Sequence, residues 1–198
     1  MRFDTVETRH LKDSSVEYGV IYGNQTIVFI KTEAGGSCDK YLQMAKTLHG
    51  TVGATVVCAS NPTPDSFEMR DAEFLRETVA EKEGETTLYF IGVLDGALQG
   101  LLTATRHFDF KRLLLINTPL VCHLQRVKAA ILRVAADACF VYGKTEASQS
   151  DLPHLRDAIR FLQYATAEIT PPKTVTLDFL SDAEADLSEK LFGRILEA

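Results

Sequence analysis

Apolar, β-branched runs recur along this chain at intervals that each leave room for one helix, and that alternation narrows the fold more than any other feature. The runs are Thr26–Ile30, Ala54–Ala59, Thr87–Ile91, Leu113–Ile116, Ala138–Tyr142 and Val175–Leu177. Between them, apolar residues fall at helical spacing. Tyr41, Leu42, Ala45 and Leu48 share a face and lead to a stop at Gly50. Ala72, Leu75 and Val79 do the same before Gly84, preceded by Asp65 and Glu68 at capping-box spacing. A small-residue helix is expected from Asp95 to Arg106, another through Val127, Ile131 and Val134, and a third from Pro153 to Ala165. A final helix should open at Ser181-Asp182-Ala183-Glu184 and bury Leu187, Leu191 and Ile195. Strand–helix repetition requires right-handed crossovers and a largely parallel sheet. The continuous runs suit strands buried on both faces.

The segment before Thr26 reads differently. Phe3–His10 and Val16–Tyr22 look like strands, joined by the polar turn Lys12-Asp13-Ser14-Ser15, and Gly23-Asn24 makes a second turn. Such short connections imply antiparallel strands at one edge. The expected architecture is therefore α/β: a mostly parallel central sheet with antiparallel N-terminal strands and helices on both faces, a three-layer αβα arrangement.

Composition bounds the rest. A chain of 198 residues, 45% hydrophobic, without repeat or linker, reads as a single domain over 1–198. It is too apolar to be disordered. No apolar run approaches the roughly 18–20 residues that span a bilayer, and Met1–Glu7 lacks a signal-peptide core. A net charge of −6 without a dense Lys/Arg stretch argues against nucleic-acid binding. Cys38, Cys58, Cys122 and Cys139 form no C-x-x-C motif, so no metal and no cofactor is expected. They read as reduced thiols of a soluble cytoplasmic protein, with Cys58 and Cys139 buried and inert in apolar runs.

In a sheet of this kind, sites form at the carboxyl ends of the strands. After Ile91 the chain reads Gly92-Val93-Leu94-Asp95-Gly96-Ala97-Leu98-Gln99-Gly100, an apolar strand running through Gly-x-x-x-Gly into a small-residue helix. This resembles the nucleophile elbow of the α/β-hydrolase family, Gly-x-Ser-x-Gly. Thr26 to Gly36 is similar to the family's strand that ends in His-Gly and a glycine-rich loop, and Tyr41–Leu48 to the helix behind it. Arg112–Pro119 is similar to the strand after the elbow helix, and Val141–Glu146 to the strand that supplies the acid. The alternative, a flavodoxin- or Rossmann-type sheet, is weakened by the antiparallel start and by the lack of G-x-G-x-x-G. One helix fills the gap between Pro119 and Ala138, so no cap domain is expected.

The resemblance implies a triad that this chain does not complete. Leu94 occupies the nucleophile position, and an alkyl group has no lone pair with which to attack a carbonyl. No His follows His154, although the base should lie near Asp182. Lys31-Thr32 replaces the family's His-Gly, and Glu146 takes the acid position. The expected function is binding of a small ligand or a protein partner at Lys31, Thr32, Gly36, Leu94, Asp95 and Glu146, without catalytic residues and without hydrolase activity. Two other readings stay open. One is an enzyme with a non-standard set drawn from Asp95, Lys31, His123 and Glu146. The other is an interaction subunit of an oligomer, a homodimer being the simplest.

Other candidates carry simpler explanations. Asp95 suits the positive end of a helix dipole, as does the acidic stretch from Asp178 to Glu189. Gly35-Gly36-Ser37 could cradle an anion or merely start a helix. Cys122 and His123 are adjacent in sequence, which rarely aims two side chains at one point. His10, His49, His107 and His154 lie at element ends.

Overall fold

A computed structural model describes residues 2–62, 70–107, 109–143, 152–170 and 172–180. The strands are β1 (Thr5–His10), β2 (Ser15–Ile21), β3 (Thr26–Lys31), β4 (Thr55–Ala59), β5 (Thr87–Val93), β6 (Phe110–Ile116), β7 (Asp137–Gly143) and β8 (Val175–Leu180). The helices are α1 (Leu42–Val52), α2 (Ala72–Ala80), α3 (Asp95–His107), α4 (Leu124–Ile131) and α5 (Leu152–Thr166). Short 3-10 turns at Cys38–Tyr41 and Val121–His123 precede α1 and α4.

The strands form one 8-stranded sheet in the order β1-β2-β4-β3-β5-β6-β7-β8. β2 runs antiparallel to both β1 and β4, and every pairing from β4 through β3 to β8 is parallel. The mostly parallel sheet with an antiparallel edge is thus as the sequence implies. One connection differs. β2 and β3 do not form a hairpin across Gly23-Asn24; β3 lies beyond β4, between β4 and β5. Ile27 to Lys31 are buried throughout, so this strand needs neighbours on both edges and cover on both faces.

Period-two alternation divides the core between the two faces. On one, Ile27, Phe29, Val57, Phe90, Leu113, Leu115 and Phe140 meet α2 through Phe74 and Leu75, α3 through Ala97 and Leu101, α4 through Val127 and Ile131, and α5 through Leu155, Ile159 and Leu162. On the other, Val28, Ile30, Val56, Ile91 and Leu114 pack with Met44, Ala45 and Leu48 of α1. The helix faces read from spacing are those that are buried. The proposed cap at Asp65/Glu68 and the final helix from Ser181 lie outside the described residues.

Helix α1 corrects the expected stop at Gly50. It runs through that glycine, where a Cβ would meet nothing within 4 Å. It ends at Gly53, whose φ of +67° lets its N–H turn back to His49 O at 2.8 Å. Between β6 and β7 lie only the second 3-10 turn and α4 as regular structure.

Candidate functional site

The carboxyl ends of β3, β5 and β6 converge on a turn made by one residue. β5 ends at Val93, α3 begins at Asp95, and Leu94 alone reverses the chain, with φ +51°. A leucine in the left-handed region is costly, by about 1–2 kcal/mol, so the surroundings must hold it there. Its N–H donates to Ile116 O of the adjacent strand at 2.8 Å, and its carbonyl accepts from Ala97 N–H at 3.1 Å.

The flanking glycines explain how so tight a turn fits. A Cβ on Gly92 would lie 2.3 Å from Ala97 Cα, in the helix that folds back over the strand. On Gly96 it would lie 2.2 Å from Thr32 O, and on Gly100 1.7 Å from Phe90 Cζ. Phe90 cannot yield easily, since it stacks on Phe29 at 6.3 Å and meets Phe110 edge-on at 5.6 Å. At the apex Leu94 remains 39% exposed, and Asp95 is exposed beside it in the first turn of α3. The first amides of that helix have no intrahelical acceptor.

The β3 loop packs against the first turn of α3. Thr32 is buried, its N–H donates to Ala59 O at 3.2 Å, and its hydroxyl donates to Gly36 O at 3.2 Å. Asn61 Nδ2 donates to Thr32 O at 3.1 Å. Gly35, with φ +74°, donates to Asn61 O at 2.7 Å, and Gly36 N–H donates to Glu33 O at 2.8 Å. The amides of Thr32 and Gly35 are therefore engaged by the end of β4 and the residues after it, and that of Gly36 within the loop. Ser37 makes no side-chain cap to the 3-10 turn that follows it. Glu33 accepts from Lys40 Nζ at 2.8 Å and from the Tyr41 hydroxyl. Burial alone would raise its carboxyl, but these donors outweigh it and hold the group below its ordinary value.

Lys31 is withdrawn from solvent. Its ammonium is fully buried, 2.6 Å from Asp71 Oδ2, and donates to Ser60 O at 2.8 Å. Tyr18 OH donates to Asp71 Oδ1 at 2.6 Å, and the Tyr18 ring stacks on Phe74 at 4.1 Å. Burial drives the Lys31 amine down and the Asp71 carboxyl up, and each charge pulls the other partly back. Burial likewise raises the Tyr18 phenol. Sequence reading missed Asp71, Tyr18 and Ser60. The signal was Lys31 itself, a cation at the end of a strand buried on both faces, which requires an anion nearby.

Other strand ends contribute polar groups that the sequence did not single out. Asn117, with φ +49°, donates its N–H to Val141 O at 2.8 Å, and its Oδ1 accepts from Gly143 N–H at 2.9 Å. Tyr142 OH donates to Thr118 O at 2.7 Å. Among the described residues, Thr118 Oγ1 and Gln99 Oε1 are buried without a hydrogen-bond partner. Cys122 is exposed and His123 half-buried in the 3-10 turn, and His154 is exposed at the start of α5. Glu146 lies outside the described residues. A cleft of about 270 Å³, lined by Arg112, Asp137, Cys139, Thr176 and Asp178, opens toward the amino ends of β6 and β7 and away from the elbow. Among the described residues, no group of His, Cys, Asp and Glu could hold a metal ion, and no helix is long and apolar enough to cross a membrane.

No protein-family model matches the chain. No curated protein sequence matches it either. Solved structures do match in shape. A highly thermostable carboxyl esterase from Bacillus coagulans superposes with a TM-score of 0.72 at 11% identity, covering 100% of this chain and 97% of that one. Est1E from Butyrivibrio proteoclasticus gives 0.67 at 11% identity, covering 97% and 96%. A putative dienelactone hydrolase from Klebsiella pneumoniae gives 0.62 at 15% identity, covering 98% and 95%. With the strand order and the elbow, these likenesses establish the α/β-hydrolase fold, and at such identities they establish the fold alone.

Proposed function

We propose that this chain of α/β-hydrolase fold works by binding and does not hydrolyse esters. Leu94 carries the reading. The turn that would expose a nucleophile is built in full, with its backbone strain and its three close-packed glycines, and the side chain mounted on it is inert to a carbonyl. The proposed site comprises Leu94 and Asp95 with the loop from Thr32 to Gly36, and Glu146 as a further contributor. Lys31 acts from beneath as a buried support. The ligand class is a small acyl compound, by analogy with neighbours named as esterases and a dienelactone hydrolase; a protein partner seated on the same exposed Leu94 is the other form of this proposal. A cytoplasmic location and a homodimer belong to the same proposal.

An enzyme with a different residue set has Asp95 in its favour, since that residue is exposed beside the apex of the elbow. Lys31 is withdrawn from that set by its burial against Asp71. The deciding experiment is turnover of p-nitrophenyl acetate, with a parallel NMR titration of short-chain esters. Binding without catalysis predicts no turnover above buffer and amide shifts centred on Leu94 and Asp95. Ester turnover that persists unchanged in Leu94→Ala would overturn it.

A further inference from the structure

Cys38 and Cys58 are far apart in sequence but adjacent in space, and the elbow site uses neither. Cys38 opens the 3-10 turn after the β3 loop, and Cys58 sits in β4. Both are buried and both are thiols. Cys38 Sγ donates to Cys58 O at 2.9 Å, and Cys58 Sγ lies 3.8 Å from Cys38 O. Each sulfur thus reaches the other residue's backbone, which brings the two side chains to one place in the core. Cys139 is elsewhere, on β7, and Cys122 is exposed before α4.

We propose that Cys38 and Cys58 form a reversible disulfide on exposure to hydrogen peroxide, tying the β3 loop to β4. The two cysteines are suited to different steps. The contact from Cys58 holds the Cys38 thiol below its ordinary value, whereas burial pushes Cys58 well up. Cys38 also lies between exposed Ser37 and Asp39, so local opening of a short 3-10 turn admits a small oxidant. The Cys38 thiolate attacks one peroxide oxygen. The O–O bond breaks, and the departing hydroxide takes a proton to become water. The resulting sulfenic acid is attacked by the Cys58 sulfur. The S–S bond forms, the S–O bond breaks, and the hydroxyl leaves with the Cys58 proton as a second water. Two thiols are oxidised and one peroxide is reduced to two waters. A dithiol reductant reverses the change by exchange.

The consequence is local to the elbow. The loop that carries Thr32, Glu33 and Gly36 ends at Cys38, so the bond closes a ring of chain from the loop through α1 to β4. The experiment uses the full chain with Cys122→Ser, which removes the exposed thiol and disturbs no core contact. After peroxide treatment, unfolding and alkylation, the expected product carries one alkylated thiol, Cys139, and its mass before alkylation falls by two hydrogens. Peptide mapping links the Cys38 and Cys58 peptides, and dithiothreitol restores all three thiols. In a Cys58→Ala variant, dimedone should trap sulfenic acid at Cys38. Retention of three alkylatable thiols, a link that involves Cys139, or added oxygen on Cys38 without a link to Cys58 would each overturn the proposal.

Discussion

A Cβ placed on Gly96 would lie 2.2 Å from the carbonyl oxygen of Thr32, so the first turn of α3 and the end of β3 are in backbone contact. That contact packs the β3 loop against the helix that follows the elbow. Gly96→Ala should push them apart and cost about 1–3 kcal/mol, as overpacking does in a closed core. Urea unfolding would measure the loss. Unchanged stability would mean that the loop moves freely against the helix.

The pair Lys31–Asp71 predicts a characteristic non-additivity. Lys31→Met leaves Asp71 buried with Tyr18 as its remaining donor, and should cost about 3–5 kcal/mol. Asp71→Leu should cost a similar amount by stranding the ammonium. The double variant should recover most of the loss, since removing both charges removes the desolvation penalty with the attraction. Stability of the four chains by denaturant titration decides it. A double variant as unstable as the sum of its parents would refute the account.

Glu33 sets a pH dependence. Its carboxyl is held below the ordinary 4.5 in the folded chain. It therefore stabilises the fold above that value, and the contribution is lost as pH falls through the folded-state value. The thermal midpoint should drop on acidification through this window, and Glu33→Gln should flatten that part of the profile. An equally steep profile in the variant would assign the dependence to other groups.

Installing a nucleophile should not create an esterase. Leu94→Ser places a hydroxyl at the apex but does not supply the His base that the resemblance leads one to expect near Asp182. Turnover of p-nitrophenyl acetate should stay near background, orders of magnitude below what a complete triad supplies. A larger gain would reveal a base that the sequence conceals.

Much of the scaffold could be read from the chain because its causes are local. The strand from Thr87 and the glycines at positions 92 and 96 are short-range signals, and they located the one-residue turn at Leu94. Gly100 was visible but its reason was not, since the ring of Phe90 that excludes a side chain there comes from another element. The same limit hid the placement of β3 between β4 and β5, which depends on cover for both faces. It also hid the role of Lys31. Sequence position suggested a cation at the crevice, and only the approach of Asp71, 40 residues later, turns it inward.

The elbow's shape is set by what surrounds its apex. Ala97, Thr32 and Phe90 each press on a glycine, and the apex is held through its backbone, by Ile116 O and Ala97 N–H, with its side chain exposed. Whatever side chain is mounted there arrives at the same point in space. The turn behaves as a socket, and its payload can be exchanged without rebuilding the fitting. A fold with such a socket can lose its chemistry through one substitution and keep its architecture, leaving a shaped mouth free for selection to put to another use.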